Sequence, residues 1–313
     1  MNVGILGTGF GIEHAKLYKK MGEIKNIKIF GRDTNKLSRL QEELQIDVTN
    51  DIREIIEDPK IDLIDVCLPS SVHKQHVIEA LKNGKQVFCE TPVALSIEDA
   101  IDIKLAEQKY GKRVYINQFI KFEQPYEYLN DVVEKEELGK LKALHIKRNT
   151  PPLWGDLSLH KISTDLMIHD FDFVTWLLGI PEGIVSQGVN GKKGQSHVHS
   201  LLKYPETIVS VEGSSMMPFG HPFTVCYDAI FEHGTIKYKE DGFKDRVESS
   251  FNLYTSDKVE QIEIKNQNCY EETIKHVIEC CQRGIPTRIA LEEAVNSFEV
   301  ALKVKEQILP FNV

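Results

Sequence analysis

The sequence predicts an α/β protein in two parts: a doubly wound parallel sheet over residues 1–120, then an α+β part over residues 121–313 with a mostly antiparallel, open sheet. Three observations carry that prediction. Short apolar runs alternate with segments of helical period through the whole first part. The first run, residues 3–6, breaks at a glycine-rich turn into one of those helical segments. Beyond Gly179 the texture changes to β-type runs separated by hairpin signals, and two helices close the chain.

Bulk properties narrow the function. A chain of 313 residues has room for two hydrophobic cores, and 41% hydrophobic with 27% charged residues is ordinary for a globular protein. The formal net charge of −9 argues against a nucleic-acid or anionic-membrane partner, because those surfaces repel an acidic protein. No charged leader precedes the first strand and no apolar run approaches membrane-spanning length, so the cytosol is the expected compartment. The six cysteines, Cys67, Cys89, Cys226, Cys269, Cys280 and Cys281, have no CxxC spacing and indicate neither a zinc site nor a disulfide framework. His197 and His199 share one face of a strand, but two imidazoles without a third ligand do not make a metal site.

The opening MNVGILGTGFGIEHAK has the pattern of strand, tight turn and helix, the helix over 12–21. Gly7, Thr8, Gly9, Phe10 and Gly11 form the turn. Glycine lets the backbone bend there and approach a pyrophosphate, which unpaired N–H groups at the positive end of the helix can hold. A dinucleotide is the ligand this geometry suits. The third glycine, Gly11, falls one place early for GxGxxG, with Ile12 where it is expected.

Residues 27–30 form a second strand ending at Gly31-Arg32-Asp33. A carboxylate at that strand end suits a ribose 2′-hydroxyl, whereas an arginine suits a 2′-phosphate. Arg32 favours NADP over NAD, and Asp33 is either the ribose ligand or part of the cap of a helix at 35–44. Residues 61–68 have the β-branched character of a buried parallel strand and stop at Pro69. A helix at 72–82, a strand at 86–89, a helix at 96–110 and a strand at 113–117 complete the alternation. Ligands of such sheets bind at the carboxyl ends of the strands, where residues 7–11, Arg32, Pro69, His73, Glu90, Thr91 and Pro92 all fall.

In the second part a helix at 124–135 leads to a strand at 142–148, a loop at 150–156 and a helix at 162–178. Pro205-Glu206, His233-Gly234 and Ser256-Asp257 mark hairpins, and helices at 270–283 and 291–307 follow. Within the 162–178 helix Asp165 and His169 stand at i and i+4, which places them a turn apart on one face. The imidazole can accept the proton of a hydroxyl being oxidised, and the carboxylate can orient it or hold the substrate; a purely structural helix pair has the same spacing.

Four stretches, in order, resemble the glucose-fructose oxidoreductase and inositol dehydrogenase family, Gfo/Idh/MocA. They are GTGFG with His14-Ala15; Leu68-Pro69 with His73; KQVFCETPVAL at 85–95, similar to the family's GKHVLxEKPxAL; and DLMIHDFD at 165–172, similar to its DlxxHdxD. The resemblance implies a Rossmann domain for NAD or NADP and a small-molecule substrate of sugar, amino-sugar or cyclitol type. It also implies that His169 is the acid or base and that Asp165 supports it.

One departure matters: Thr91 stands where the family's EKP motif has lysine. A threonine can donate a hydrogen bond but brings no positive charge to a developing alkoxide. Lys121, where relatives usually have arginine, and Lys161, where they tend to have glycine, are the candidates to replace that charge. The expected function is NAD(P)-dependent interconversion of a secondary alcohol and a ketone by a homodimer or homotetramer. The alternative, raised by Thr91, is a dinucleotide-binding sensor that has lost hydride transfer.

Overall fold

A computed structural model describes residues 1–265 and 267–309 and divides into two compact units. One comprises Met1–Phe119 with Asn268–Val295; the other comprises Ile120–Gln267 with the chain from Asn296 onward.

In the first unit β1 (Asn2–Leu6), β2 (Asn26–Phe30), β3 (Asp47–Thr49), β4 (Leu63–Val66), β5 (Gln86–Cys89) and β6 (Val114–Ile116) form a parallel sheet in the order β3-β2-β1-β4-β5-β6. Between them run α1 (Gly11–Tyr18), α2 (Thr34–Leu44), α3 (Arg53–Ile56), α4 (His73–Lys82) and α5 (Ile97–Tyr110). Strand order reverses at β1, so the tips of β1 and β4 flank the switch point where ligands of such sheets bind. Leu63, Ile64 and Val66 of β4 are buried, as a strand covered on both faces requires. Asp33 accepts from the Lys36 N–H at 3.0 Å and Ser96 from the Asp99 N–H at 3.2 Å, satisfying N–H groups that α2 and α5 otherwise leave unpaired. The capping role open to Asp33 is thus formed through one carboxylate oxygen. α1 is shorter than the predicted 12–21, and β3 and α3 occupy residues whose apolar runs are too short to mark them.

The second unit contains α6 (Gln124–Glu134), β7 (Leu141–Asn149), α7 (Ile162–Asp165), α8 (Ile168–Leu178), β8 (Gly183–Asn190), β9 (Ser196–Lys203), β10 (Ile208–Ser214), β11 (Phe223–Phe231), β12 (Thr235–Gly242), β13 (Val247–Tyr254) and β14 (Val259–Gln261). α9 (Cys269–Arg283) belongs to the first unit, and α10 (Leu291–Ile308) is divided at Val295. The eight strands run β14-β13-β12-β11-β7-β10-β9-β8, antiparallel except for the β7–β10 pair. Val198, Leu202, Val211 and Tyr227 alternate onto the inner face and pack with Met167, Phe171 and Phe298, while Leu201, Ile208 and Ile230 lie exposed on the strands. Among the described residues no helix is long and apolar enough to cross a membrane.

The single helix expected over 162–178 is broken. The N–H groups of Leu166 and Met167 both donate to the Ile162 carbonyl, at 3.0 and 2.9 Å, and the helix restarts at Ile168. The break seats Met167 against the bare backbone of Gly213 in β10, where a Cβ would stand 2.5 Å from the Met167 Cγ. That contact is tertiary, and helical periodicity carries no sign of it.

Beside the break, Arg148 of β7 grips Asp170 of α8 through two hydrogen bonds, Nε to Oδ2 at 2.9 Å and Nη2 to Oδ1 at 2.8 Å, with 6% and 0% of the side chains exposed. Removing one partner strands a buried charge, at a cost of about 3–5 kcal/mol. Arg148→Met should therefore lower denaturant stability by about that amount, and Arg148→Met/Asp170→Leu should recover most of the loss. Equal losses in both variants contradict this assignment.

Candidate functional site

The glycine turn assigns a different task to each glycine. Gly7 has φ +116°, and a Cβ on it would lie 2.5 Å from the Cys67 carbonyl oxygen, so the tips of β1 and β4 close together only if this residue has no side chain. A Cβ on Gly11 would lie 2.8 Å from Ile5 Cγ2, so its absence lets α1 settle on β1. The early third glycine thus performs the close-packing task of the third position. Gly9 differs, because a Cβ there would meet nothing within 4 Å. With Phe10 exposed and α1 opening at Gly11, Gly9 leaves open room beside the N–H groups at the start of α1, a cradle that fits a pyrophosphate.

At the end of β2 the bare Gly31 abuts Thr8, whose Cγ2 would be 2.7 Å from an added Cβ. Arg32 next to it is exposed. Lys36, in the first turn of α2, donates from Nζ to the Thr8 carbonyl at 2.6 Å. A second cation therefore stands at the turn. The sequence signal for Lys36 was its place three residues beyond the capping Asp33.

His73 is buried, with Nε2 2.7 Å from the Leu68 carbonyl and Nδ1 3.0 Å from that of Pro92. It ties the loop of Leu68 and Pro69 to the turn of Thr91 and Pro92, whose peptide bond is cis, and burial lowers its pKa. Its cofactor-side location is thus that of a support beneath two loops. Glu90, at the end of β5, accepts from Asn117 Nδ2 at 2.9 Å and lies 3.2 Å from His14 Nε2. His14 Nδ1 in turn lies 2.9 Å from Asp65 of β4. The sequence reading assigns His14 no site role and passes over Asp65, whose signal is a carboxylate inside the apolar run IDLIDVCL.

In the second unit His169 opens α8, partly buried, and burial together with the Arg148 charge lowers its pKa to about 3. The ring is neutral at physiological pH. Asp165 closes α7 and accepts from the Thr164 hydroxyl at 2.7 Å; the surrounding protein pushes its pKa up. The helix break means that these two residues do not share one uninterrupted helix. Lys161 is exposed, its Nζ 3.9 Å from Asp156, whereas Lys121 is fully buried with Nζ 5.8 Å from the centre of the Trp176 ring.

Residues 1–118 match the model of GFO_IDH_MocA, an oxidoreductase family with an NAD-binding Rossmann fold. Over 185 residues the chain is 30% identical to myo-inositol 2-dehydrogenase of Thermotoga maritima, which covers 57% of this chain and 55% of that protein. It is 24% identical over 318 residues to scyllo-inositol 2-dehydrogenase (NAD+) of Bacillus subtilis, covering 95% and 91%. The chain spans about half the length of the first curated relatives it matches. An oxidoreductase from Agrobacterium radiobacter, solved in complex with NAD+, L-tartaric acid and magnesium, has the same fold, with a TM-score of 0.85 over 98% of this chain and 96% of that one at 17% identity. A glycine turn at the switch point of a parallel sheet and the match over residues 1–118 make the first unit similar to the NAD-binding Rossmann domain of the Gfo/Idh/MocA oxidoreductases, and the whole chain shares the fold of the solved oxidoreductase.

Proposed function

We propose that the protein interconverts a secondary alcohol and a ketone on a cyclitol, sugar or amino-sugar, with NADP or NAD as redox partner. The observation that carries this reading is the open glycine cradle at Gly9, in a chain whose other unit carries an imidazole, His169, four residues after a carboxylate, Asp165. The nicotinamide cofactor, when bound, takes up or supplies the hydride. Gly9 and the first N–H groups of α1 hold its pyrophosphate, with Pro69 and Thr91 at the neighbouring strand ends. Arg32, exposed at the end of β2, and Lys36 meet a 2′-phosphate, which favours NADP.

In the oxidative direction His169 accepts the hydroxyl proton, and Asp165 accepts a hydrogen bond from a substrate hydroxyl. Thr91 supplies no charge to the developing alkoxide. Lys121, withdrawn from water, is better suited to that role than Lys161, whose charge is solvated and loosely paired with Asp156. Relatives named as inositol 2-dehydrogenases make cyclitols the first substrates to test. The exposed Leu201, Ile208 and Ile230 of the open sheet support a homodimer or homotetramer. Thr91 also favours a second reading, a dinucleotide-binding sensor without hydride transfer.

A cyclitol and sugar panel with each cofactor tests the first reading against the second. Turnover of at least one substrate is expected, and cofactor binding with no turnover on any would favour the sensor. On that substrate His169→Asn should lower kcat by about 10²–10⁴-fold, Lys121→Ala by about 10²-fold, and Lys161→Ala by much less. A depressed imidazole pKa keeps the proton-accepting form present as pH falls, so kcat/KM should hold level from about pH 8 to about pH 5. An acid limb centred near the ordinary histidine pKa of about 6.5 would contradict the role given to His169. For the cofactor, Gly9→Ala should leave Tm unchanged yet weaken binding about tenfold or more by filling the cradle. Arg32→Ala should weaken NADP more than NAD, and equal effects on the two would remove the NADP preference.

A further inference from the structure

The proposed reaction makes no use of the most buried charges of the first unit. Asp65 is 1% exposed and His14 2%, and Glu90, at 18%, is the member of the group that reaches the surface. His14 Nδ1 lies 2.9 Å from Asp65 Oδ2, and Nε2 lies 3.2 Å from Glu90 Oε1. Cys67 Sγ donates to the other Asp65 oxygen at 3.2 Å, Asn117 Nδ2 donates to the same Glu90 oxygen at 2.9 Å, and the Phe88 ring stacks on His14 at 5.7 Å.

Carboxylate oxygens stand 2.9 Å from Nδ1, which bonds Asp65, and 3.2 Å from Nε2, which meets Glu90 as an ion pair without a hydrogen bond; negative charge on both sides of the ring favours the imidazolium. Burial opposes that charge, but the Asp65 carboxylate beside Nδ1 outweighs it and raises the His14 pKa well above its ordinary value. The other titratable groups facing the ring, Tyr18 on α1 and Cys67 after β4, are pushed up by burial and by Asp65 and stay neutral. His14, Cys67 and Glu90 bring ligating atoms within 4.8 Å of one another, as a metal site would. However, Nδ1 faces Asp65 and Cys67 while Nε2 faces Glu90 on the far side of the ring, so the groups are spread around the imidazole and do not converge on one ion.

We infer that Asp65 and His14 are positioning residues for Glu90. Through the buried imidazolium they fix its carboxylate at the carboxyl end of β5, where it accepts a hydrogen bond from an amide or hydroxyl donor of the bound dinucleotide. This rests on the cofactor part of the proposed function and not on His169.

The test is a double-mutant cycle read by titration of NADPH or NADH fluorescence, with Tm measured in parallel. Glu90→Gln turns its carbonyl toward His14 and Asn117 and presents an NH2 outward, so Kd should rise about tenfold or more while Tm stays close to wild type. His14→Phe/Asp65→Leu keeps the ring stack and removes both buried charges; its Kd should rise comparably, and adding Glu90→Gln to it should cost little more. An unchanged Kd in the double variant, or fully additive losses, overturns the relay. So does a stoichiometric metal ion in the purified protein. Should the double variant fail to fold, the 15N imidazole signals of His14 in the wild-type protein decide: both nitrogens protonated at about pH 8 is expected, and a neutral ring refutes it. A wild-type protein that binds neither cofactor would overturn the cofactor reading itself, whereas tight binding untouched by the substitutions would overturn the relay alone.

Discussion

The first unit depends on a contact that no side chain could occupy. Gly7 brings the end of β1 under the Cys67 carbonyl at the end of β4, with a positive φ and no space for a Cβ. Once those two strand tips meet, Gly11 can lay α1 on Ile5, and the intervening Gly9 is left facing open space. Two glycines are thus required by packing, and the third is required only if something approaches the backbone there. The room at Gly9 is what makes the turn a binding feature as well as a tight bend.

Each unit also contains buried charge held by hydrogen bonds. Arg148 and Asp170 lock β7 to the start of α8 immediately after His169, and the Arg148 charge helps keep that imidazole neutral. Asp65, His14 and Glu90 link the middle of one strand, a helix and the tip of another. Buried pairs of this kind are weak sources of net stability, because desolvation offsets most of their attraction, but leaving one partner unpaired is costly. They therefore fix geometry. Burial favours the neutral form of both imidazoles; at His169 the Arg148 charge adds to it, whereas at His14 the Asp65 carboxylate outweighs it.

Much of this was legible in the sequence because it is local. Alternating apolar runs announced the parallel sheet, Pro205, Gly234 and Asp257 announced hairpins that form, and the glycine turn shows in its spacing, whereas Thr91 and the role of His169 stand out only through the family resemblance. The remainder depends on partners far along the chain. The break at Leu166 and Met167 is set by Gly213 in another strand, and His14 acquires its charge from residues 51 and more positions away. Likewise Asn268–Val295 returns to the first unit, where Ile116 donates to the Ile289 carbonyl at 3.1 Å, a pairing no local pattern encodes.

The central claim is that a dinucleotide sits on the backbone of residues 8–11. Amide chemical shifts of the isotopically labelled full chain, followed by NMR as NADP is added, test it most directly. The account predicts that the amides of Thr8, Gly9, Phe10 and Gly11 shift together and saturably, along with that of Arg32. Saturable binding that leaves those five amides unmoved would contradict it.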